Sequence, residues 1–152
     1  MRDSGAMLET LTGDIIGAAL RIHRDLGPGL LESVYESLLA AAIARKGLHV
    51  KRQQSISFSY DGASFSDAFR VDLLVENQVV VELKAVAKLD PVFHRQVLTY
   101  LRLLNLPVGL LLNFGAPTMT EGIKRIVNSP TLTNRFLRVS AAPCDGSSRS
   151  LE

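Results

Sequence analysis

Two short apolar runs, residues 69–75 (Phe-Arg-Val-Asp-Leu-Leu-Val) and 79–84 (Val-Val-Val-Glu-Leu-Lys), are separated only by Glu76-Asn77-Gln78. Runs this rich in β-branched residues, joined by so short a link, read as a β-hairpin. The hairpin carries Asp72, Glu82 and Lys84 in what is otherwise sheet interior. Charged side chains held among valines and leucines are costly unless they are paired or bind a metal. Whatever the rest of the chain does, the fold must accommodate three charges at the centre of its most apolar ribbon.

The register follows from the pattern. With a three-residue loop, Val75 faces Val79, Leu73 faces Val81 and Val71 faces Leu83, giving one wholly apolar face, because directly opposite residues share a face. The other face then sets Asp72 against Glu82 and Arg70 against Lys84. A two-residue loop would set Asp72 against Leu83 and mix charge into both faces. Carboxylates directly across a strand pair, with Cβ atoms ~4.5–5.5 Å apart, repel. A hard divalent cation held by oxygen ligands, most naturally Mg²⁺, relieves that repulsion. A solvated edge strand with an Asp72–Lys84 ion pair is the competing account, and the hairpin alone does not separate the two.

The next element adds polar groups. Asp90-Pro91 is a helix start, Asp as N-cap and Pro at the first position, and the helix is predicted to run to about Leu104. Phe93, Val97, Leu101 and Leu104 form its core stripe, and Gln96 and Tyr100 lie i,i+4 on a neighbouring stripe. Taken alone, those two are a boundary pair satisfying each other's hydrogen bonds.

The order Asp72, then Glu82-Leu83-Lys84, then a helix with Gln96-Val97-Leu98-Thr99-Tyr100 resembles the PD-(D/E)XK nuclease superfamily, in particular its exonuclease branch with a Gln-x-x-x-Tyr helix. Upstream, Gly29-Leu30-Leu31-Glu32-Ser33-Val34-Tyr35 is similar to the signature of the GxxExxY family, which is grouped with that superfamily. The similarity spans residues 15–127. One departure is that Val71, not proline, precedes Asp72, a loose position in the superfamily.

The resemblance implies an α/β fold with a restriction-endonuclease-like core, a mixed central sheet of about four or five strands flanked by helices. It implies a metal-dependent phosphodiesterase acting on nucleic acid, DNA in preference to RNA. Glu32, Asp72, Glu82, Lys84 and Gln96 would be the catalytic set. Glu32, Asp72, Glu82 and the backbone carbonyl of Leu83 would hold Mg²⁺ or Mn²⁺, and Tyr35 and Tyr100 would support the site. Lys84 would orient the attacking water and stabilise charge on phosphorus. Without the resemblance, Glu32 reads as a first-turn acid favoured by the helix macrodipole. The alternative function is a catalytically silent nuclease-fold module that binds nucleic acid or a protein partner.

Composition bounds these readings. At 152 residues the chain is expected to form one domain over residues 1–140, large enough to bury ~68–70% of its unfolded surface without disulfides. Cys144 is the only cysteine, which excludes an internal disulfide and, with no secretory segment recognised, fits a reducing cytoplasm. His23, His49 and His94 show no paired ligand spacing. Lys and Arg number 17 against 15 Asp and Glu, a net charge of +2 that permits a nucleic-acid partner without arguing for one. Basic groups at Arg45-Lys46, Lys51-Arg52, Arg95, Arg102 and Lys124-Arg125 would contact phosphates only if folding gathered them on one rim. No membrane-spanning run is present, and a mean hydropathy of +0.18 with apolar helices admits a homodimer.

Read coarsely, Ile15, Ala19, Ile22 and Leu26 mark a first helix ending at Gly27-Pro28. A second is predicted over residues 29–46, with Leu31, Val34, Leu38, Ala41 and Ala42 facing the core. Residues 48–60 and 64–75 read as strands around an Asp61-Gly62 turn. Residues 107–114 read as a buried strand parallel to a neighbour, and 120–128 as a short last helix. Residues 136–139 could add an edge strand, and 141–152, rich in Ala, Pro, Gly and Ser, are expected to form a flexible tail.

Overall fold

In the computed structural model, which describes residues 3–129 and 137–140, two helices precede the sheet. Helix α1 spans Ser4–Leu26, opened by the Asp3 side chain accepting from the Gly5 amide. It closes at Gly27, whose φ of 71° suits glycine and whose N–H reaches the His23 carbonyl at 2.7 Å. Helix α2 spans Glu32–Arg45. Here the expected face is corrected in large part: Ala42 does pack against the core, but Leu31 is 73% and Val34 39% exposed, and the buried stripe is Tyr35, Leu39 and Ile43 with Glu36 and Ala40. The helix is apolar on most sides, so periodicity alone does not choose its inward face.

Strands β1 (Val50–Tyr60) and β2 (Ala63–Val75) form a long antiparallel ribbon around Asp61-Gly62, both in the left-handed region as a tight hairpin turn requires. Strand β3 (Val79–Lys84) returns through Glu76-Asn77-Gln78, and Leu73, Leu74 and Val75 pair with Val81, Val80 and Val79, the register predicted for a three-residue loop. Helix α3 (Pro91–Leu104) is capped by Asp90, whose carboxylate accepts from the Val92 amide at 2.9 Å. It crosses to β4 (Val108–Asn113), a wholly buried strand parallel to β3. Gly109 lets α3 approach closely, since a Cβ there would meet Val97 Cγ1 at 2.9 Å.

The predicted last helix is a single turn, α4 (Met119–Gly122), followed by β5 (Ile123–Val127), antiparallel to β4. Ile123 and Ile126 pack into opposite sides of the sheet, as residues three apart in a strand do. Strand β6 (Leu137–Ser140) adds the expected edge beside β1. Residues 136 and 141–152, the latter expected to be a tail, lie outside the described residues.

The mixed sheet runs β5-β4-β3-β2-β1-β6, five strands of core plus the short β6. Leu73, Val75, Val79, Val81, Leu83, Leu110 and Leu112 pack under α1 and α2. Ile56, Val71, Leu74, Val80 and Leu111 pack under α3 through Val97, Tyr100 and Leu101. Val71 therefore lies on the face opposite Leu73 and Leu83, which corrects the expected unbroken apolar face. The strand turns over at Asp72. Opposite it, Val50 packs with the first cluster and Ile56 with the second, so β1 turns over as well, around Gln53. Both strands change face at one level of the sheet, where the charged residues lie.

Candidate active site

The ladder between β2 and β3 stops at Leu73 and Val81, and beyond it the side chains take over the pairing. The Asp72 amide donates to Glu82 Oε1 at 3.0 Å, and the Leu83 amide donates to Asp72 Oδ2 at 3.0 Å. Each carboxylate thus bonds the backbone of the opposite strand, which lets two acids share one level of the hairpin. Glu82 is 5% exposed, and burial, reinforced by the Asp72 charge and a carboxyl–carboxyl hydrogen bond, pushes its carboxyl up to about 8. Burial therefore favours the protonated form of Glu82 wherever no cation compensates its charge.

Lys84 lies two residues beyond Glu82, its Nζ 4.4 Å from the centroid of the Phe93 ring. The chain leaving Lys84 is fixed by Asn113, buried at the end of β4, which accepts from the Val86 amide at 3.0 Å and donates to its carbonyl at 2.9 Å. On α3, Gln96 is exposed and hydrogen-bonds the hydroxyl of Tyr100, whose ring stacks on Phe69 at 4.3 Å. Burial first, and then the Glu82 charge, raises the Tyr100 hydroxyl above its ordinary value.

From the other side comes the start of α2. Glu32 lies three residues before Tyr35 and four before Glu36, so it continues the buried stripe outward to the rim. Its carboxyl is raised by burial, lowered by Lys84 and raised again by Asp72 and Glu36. Tyr35 is fully buried, stacked on Phe114 at 4.5 Å, and donates its hydroxyl to the Gly27 carbonyl at 2.6 Å while accepting from the Leu30 amide at 3.1 Å. That clamp holds the turn from which Glu32 projects.

A cleft of about 380 Å³ opens here, lined by Leu31, Glu32, Ser33, Glu36, Gln53 and Asp72. A larger groove of about 570 Å³, lined among others by Met7, Leu48 and Glu76, lies away from the paired acids and Lys84. Two residues of the smaller cleft escaped the sequence reading. Glu36 is 7% exposed and accepts from Gln53 Nε2 at 2.6 Å, while the same nitrogen donates to Asp72 Oδ1 at 3.2 Å. The i,i+4 spacing of Glu32 and Glu36 was the available signal for the first. Gln53 left none.

The predicted residues therefore come together around one break in the sheet, Glu32 and Asp72 along the cleft and Glu82, Lys84, Gln96 and Tyr100 toward α3. Among the described residues no three acidic, histidine or cysteine side chains form a ready-made cation cage. Of the basic groups, Lys46 pairs with Asp14 at 3.7 Å, Arg52 with Glu36 at 3.4 Å and Arg125 with Glu9 at 2.7 Å. No described helix is long and apolar enough to cross a membrane.

A family model for PD-(D/E)XK nucleases matches residues 9–126. The chain belongs to the PD-(D/E)XK nuclease superfamily. Searches of curated proteins and of solved structures returned no match. For a PD-(D/E)XK protein the architecture is as expected, a restriction-endonuclease-like mixed sheet between helices. Superfamily membership indicates nuclease-type chemistry on nucleic acid.

Proposed function

We propose that this chain is a metal-dependent phosphodiester hydrolase that cuts nucleic acid, DNA in preference to RNA. One observation carries the reading: where the β2–β3 ladder ends, Asp72 and Glu82 cross-bond each other's strands, and Lys84 follows two residues on. The donor set suits a hard divalent cation, because burial and the Asp72 charge disfavour ionised Glu82, a cost that Mg²⁺ or Mn²⁺ held by both carboxylates would remove. Asp72, Glu82 and the Leu83 carbonyl would hold the ion, with Glu32 as a third carboxylate from α2. When bound, it would polarise the phosphodiester and acidify a bound water.

The remaining roles belong to the chain itself. Lys84, aligned by the Phe93 ring and by the Asn113 clamp behind it, supplies a fixed positive charge for the pentavalent phosphorus. Gln96 is exposed beside Glu82's neighbour Tyr100, able to donate to a phosphate oxygen while Tyr100 holds it. Tyr35 fixes the turn that presents Glu32. The Gly29, Glu32 and Tyr35 spacing supports placing the chain with the GxxExxY group.

Cleavage of a panel of labelled single- and double-stranded DNA and RNA, with metal omitted as control, tests this reading. Metal-dependent cleavage is expected, abolished in Asp72→Ala and Glu82→Ala while both stay folded. Undiminished cutting in both variants would sink the assignment. Metal-independent binding of nucleic acid with no cleavage would assign the silent module instead.

A further inference from the structure

Gln53 is an exposed residue in the middle of β1 with φ of 49°, a backbone conformation that side-chain-bearing residues adopt only under constraint. The side chain itself is exposed, so its own burial does not hold it there. The left-handed residue falls between the pairs Arg52 with Leu73 and Gln54 with Val71, so it lies directly opposite Asp72. It is also where β1 changes face. The result is an amide aimed out of the sheet, its single nitrogen shared between Glu36 Oε1 at 2.6 Å and Asp72 Oδ1 at 3.2 Å.

The chain of contacts continues in both directions. Glu36 is nearly buried and is held from behind by Arg52, whose guanidinium also donates to Ser37 Oγ at 2.9 Å. Asp72 passes its other oxygen to the Leu83 amide at 3.0 Å. The amide of Gln53 is thus the link between an anchored acid on α2 and the carboxylate that closes the broken β2–β3 ladder.

We propose that Gln53 is a positioning residue: its left-handed backbone exists to hold an amide between Glu36 and Asp72, fixing the Asp72 carboxylate for cation and substrate. This deepens the nuclease reading and rests on it for the words cation and substrate, but the positioning of Asp72 itself does not. Strain maintained at an exposed site is expected where function, not stability, requires the geometry. A residue serving the fold alone would show the opposite relation.

Gln53→Gly and Gln53→Asn separate the two. Glycine accepts the left-handed backbone without a side chain, and asparagine tolerates it but is one methylene too short to bridge both acids. Both variants are expected to melt at or above the temperature of the parent protein. Hydrogen exchange at the Leu83 amide should become roughly tenfold faster in both, with the Val81 amide unchanged, because Asp72 is no longer held against it. Mn²⁺ affinity by calorimetry and the cleavage rate should fall roughly 10–100-fold. Unchanged Leu83 exchange, or a fall in melting temperature matching the loss of activity, would overturn the proposal. If the parent protein neither binds Mn²⁺ nor cuts, the nuclease reading fails, while Leu83 exchange still decides the role of Gln53.

Discussion

At the level of single residues, the site is organised by side chains that bond backbone. Asp72 and Glu82 replace ladder bonds, Asn113 clamps the chain after Lys84, and Tyr35 ties Gly27 to Leu30. Tyr35→Phe tests the last of these, because it keeps the stack on Phe114 but leaves the Gly27 carbonyl without its partner. Urea denaturation should show a loss of about 1–3 kcal/mol, and cleavage should weaken as Glu32 loses its fixed turn. A variant as stable as the parent would mean that the hydroxyl is incidental. Asp72, Glu82 and Lys84 were legible in the sequence because charge among valines stands out. Gln53 was not, for a specific reason. Counting back from the Asp61-Gly62 turn sets Lys51 opposite Asp72. The bulge between Ile56 and Phe58, stabilised by Ser57 Oγ accepting from the Asp67 amide at 3.0 Å, shifts the pairing so that Gln53 stands there instead. A bulge built from Ser and Asp in a polar ribbon leaves no hydrophobic mark.

At the level of elements, what could be read depended on whether one periodicity excluded the others. The β2–β3 hairpin was readable because a one-residue slip would expose every valine. Helix α3 was readable because Asp90-Pro91 fixed its start and its apolar stripe is narrow. Helix α2 carries apolar residues nearly all round, so its inward face was settled by Tyr35 finding Phe114 and by Glu36 finding Gln53, contacts made across the fold. Strand β5 was expected as part of a helix because a five-residue segment is too short for one period to exclude the other, and pairing to β4 decided between them. The corrected face of α2 has a direct test. Leu39→Ala, which empties a fully buried position, should cost about 2–5 kcal/mol, whereas Leu31→Ala, at a residue 73% exposed, should stay within about 0.5 kcal/mol. Chemical denaturation of the two variants side by side checks it, and equal losses would return Leu31 to the core.

At the level of the whole molecule, the buried acid pair couples folding to protons and to cations. The Glu82 carboxyl stands near 8 in the folded protein against 4.5 in the open chain. Between those values the folded state holds a proton that the unfolded state has released, so stability declines as pH rises. The contribution is fully present below 4.5 and is lost as pH rises through about 8. In chelator, the melting temperature should therefore fall across this window, and Glu82→Gln, which cannot ionise, should flatten the fall. A divalent cation reverses the sense. It binds the ionised pair of the folded protein, so its stabilisation should grow as pH approaches 8, reaching about 2.7 kcal/mol at a hundred times its dissociation constant. Melting curves recorded across pH with chelator and with Mn²⁺ should diverge toward alkaline pH in the parent and stay nearly parallel in Glu82→Gln. Parallel curves in the parent would mean that the Glu82 proton is not what the cation displaces, and the two acids would then be a structural pair.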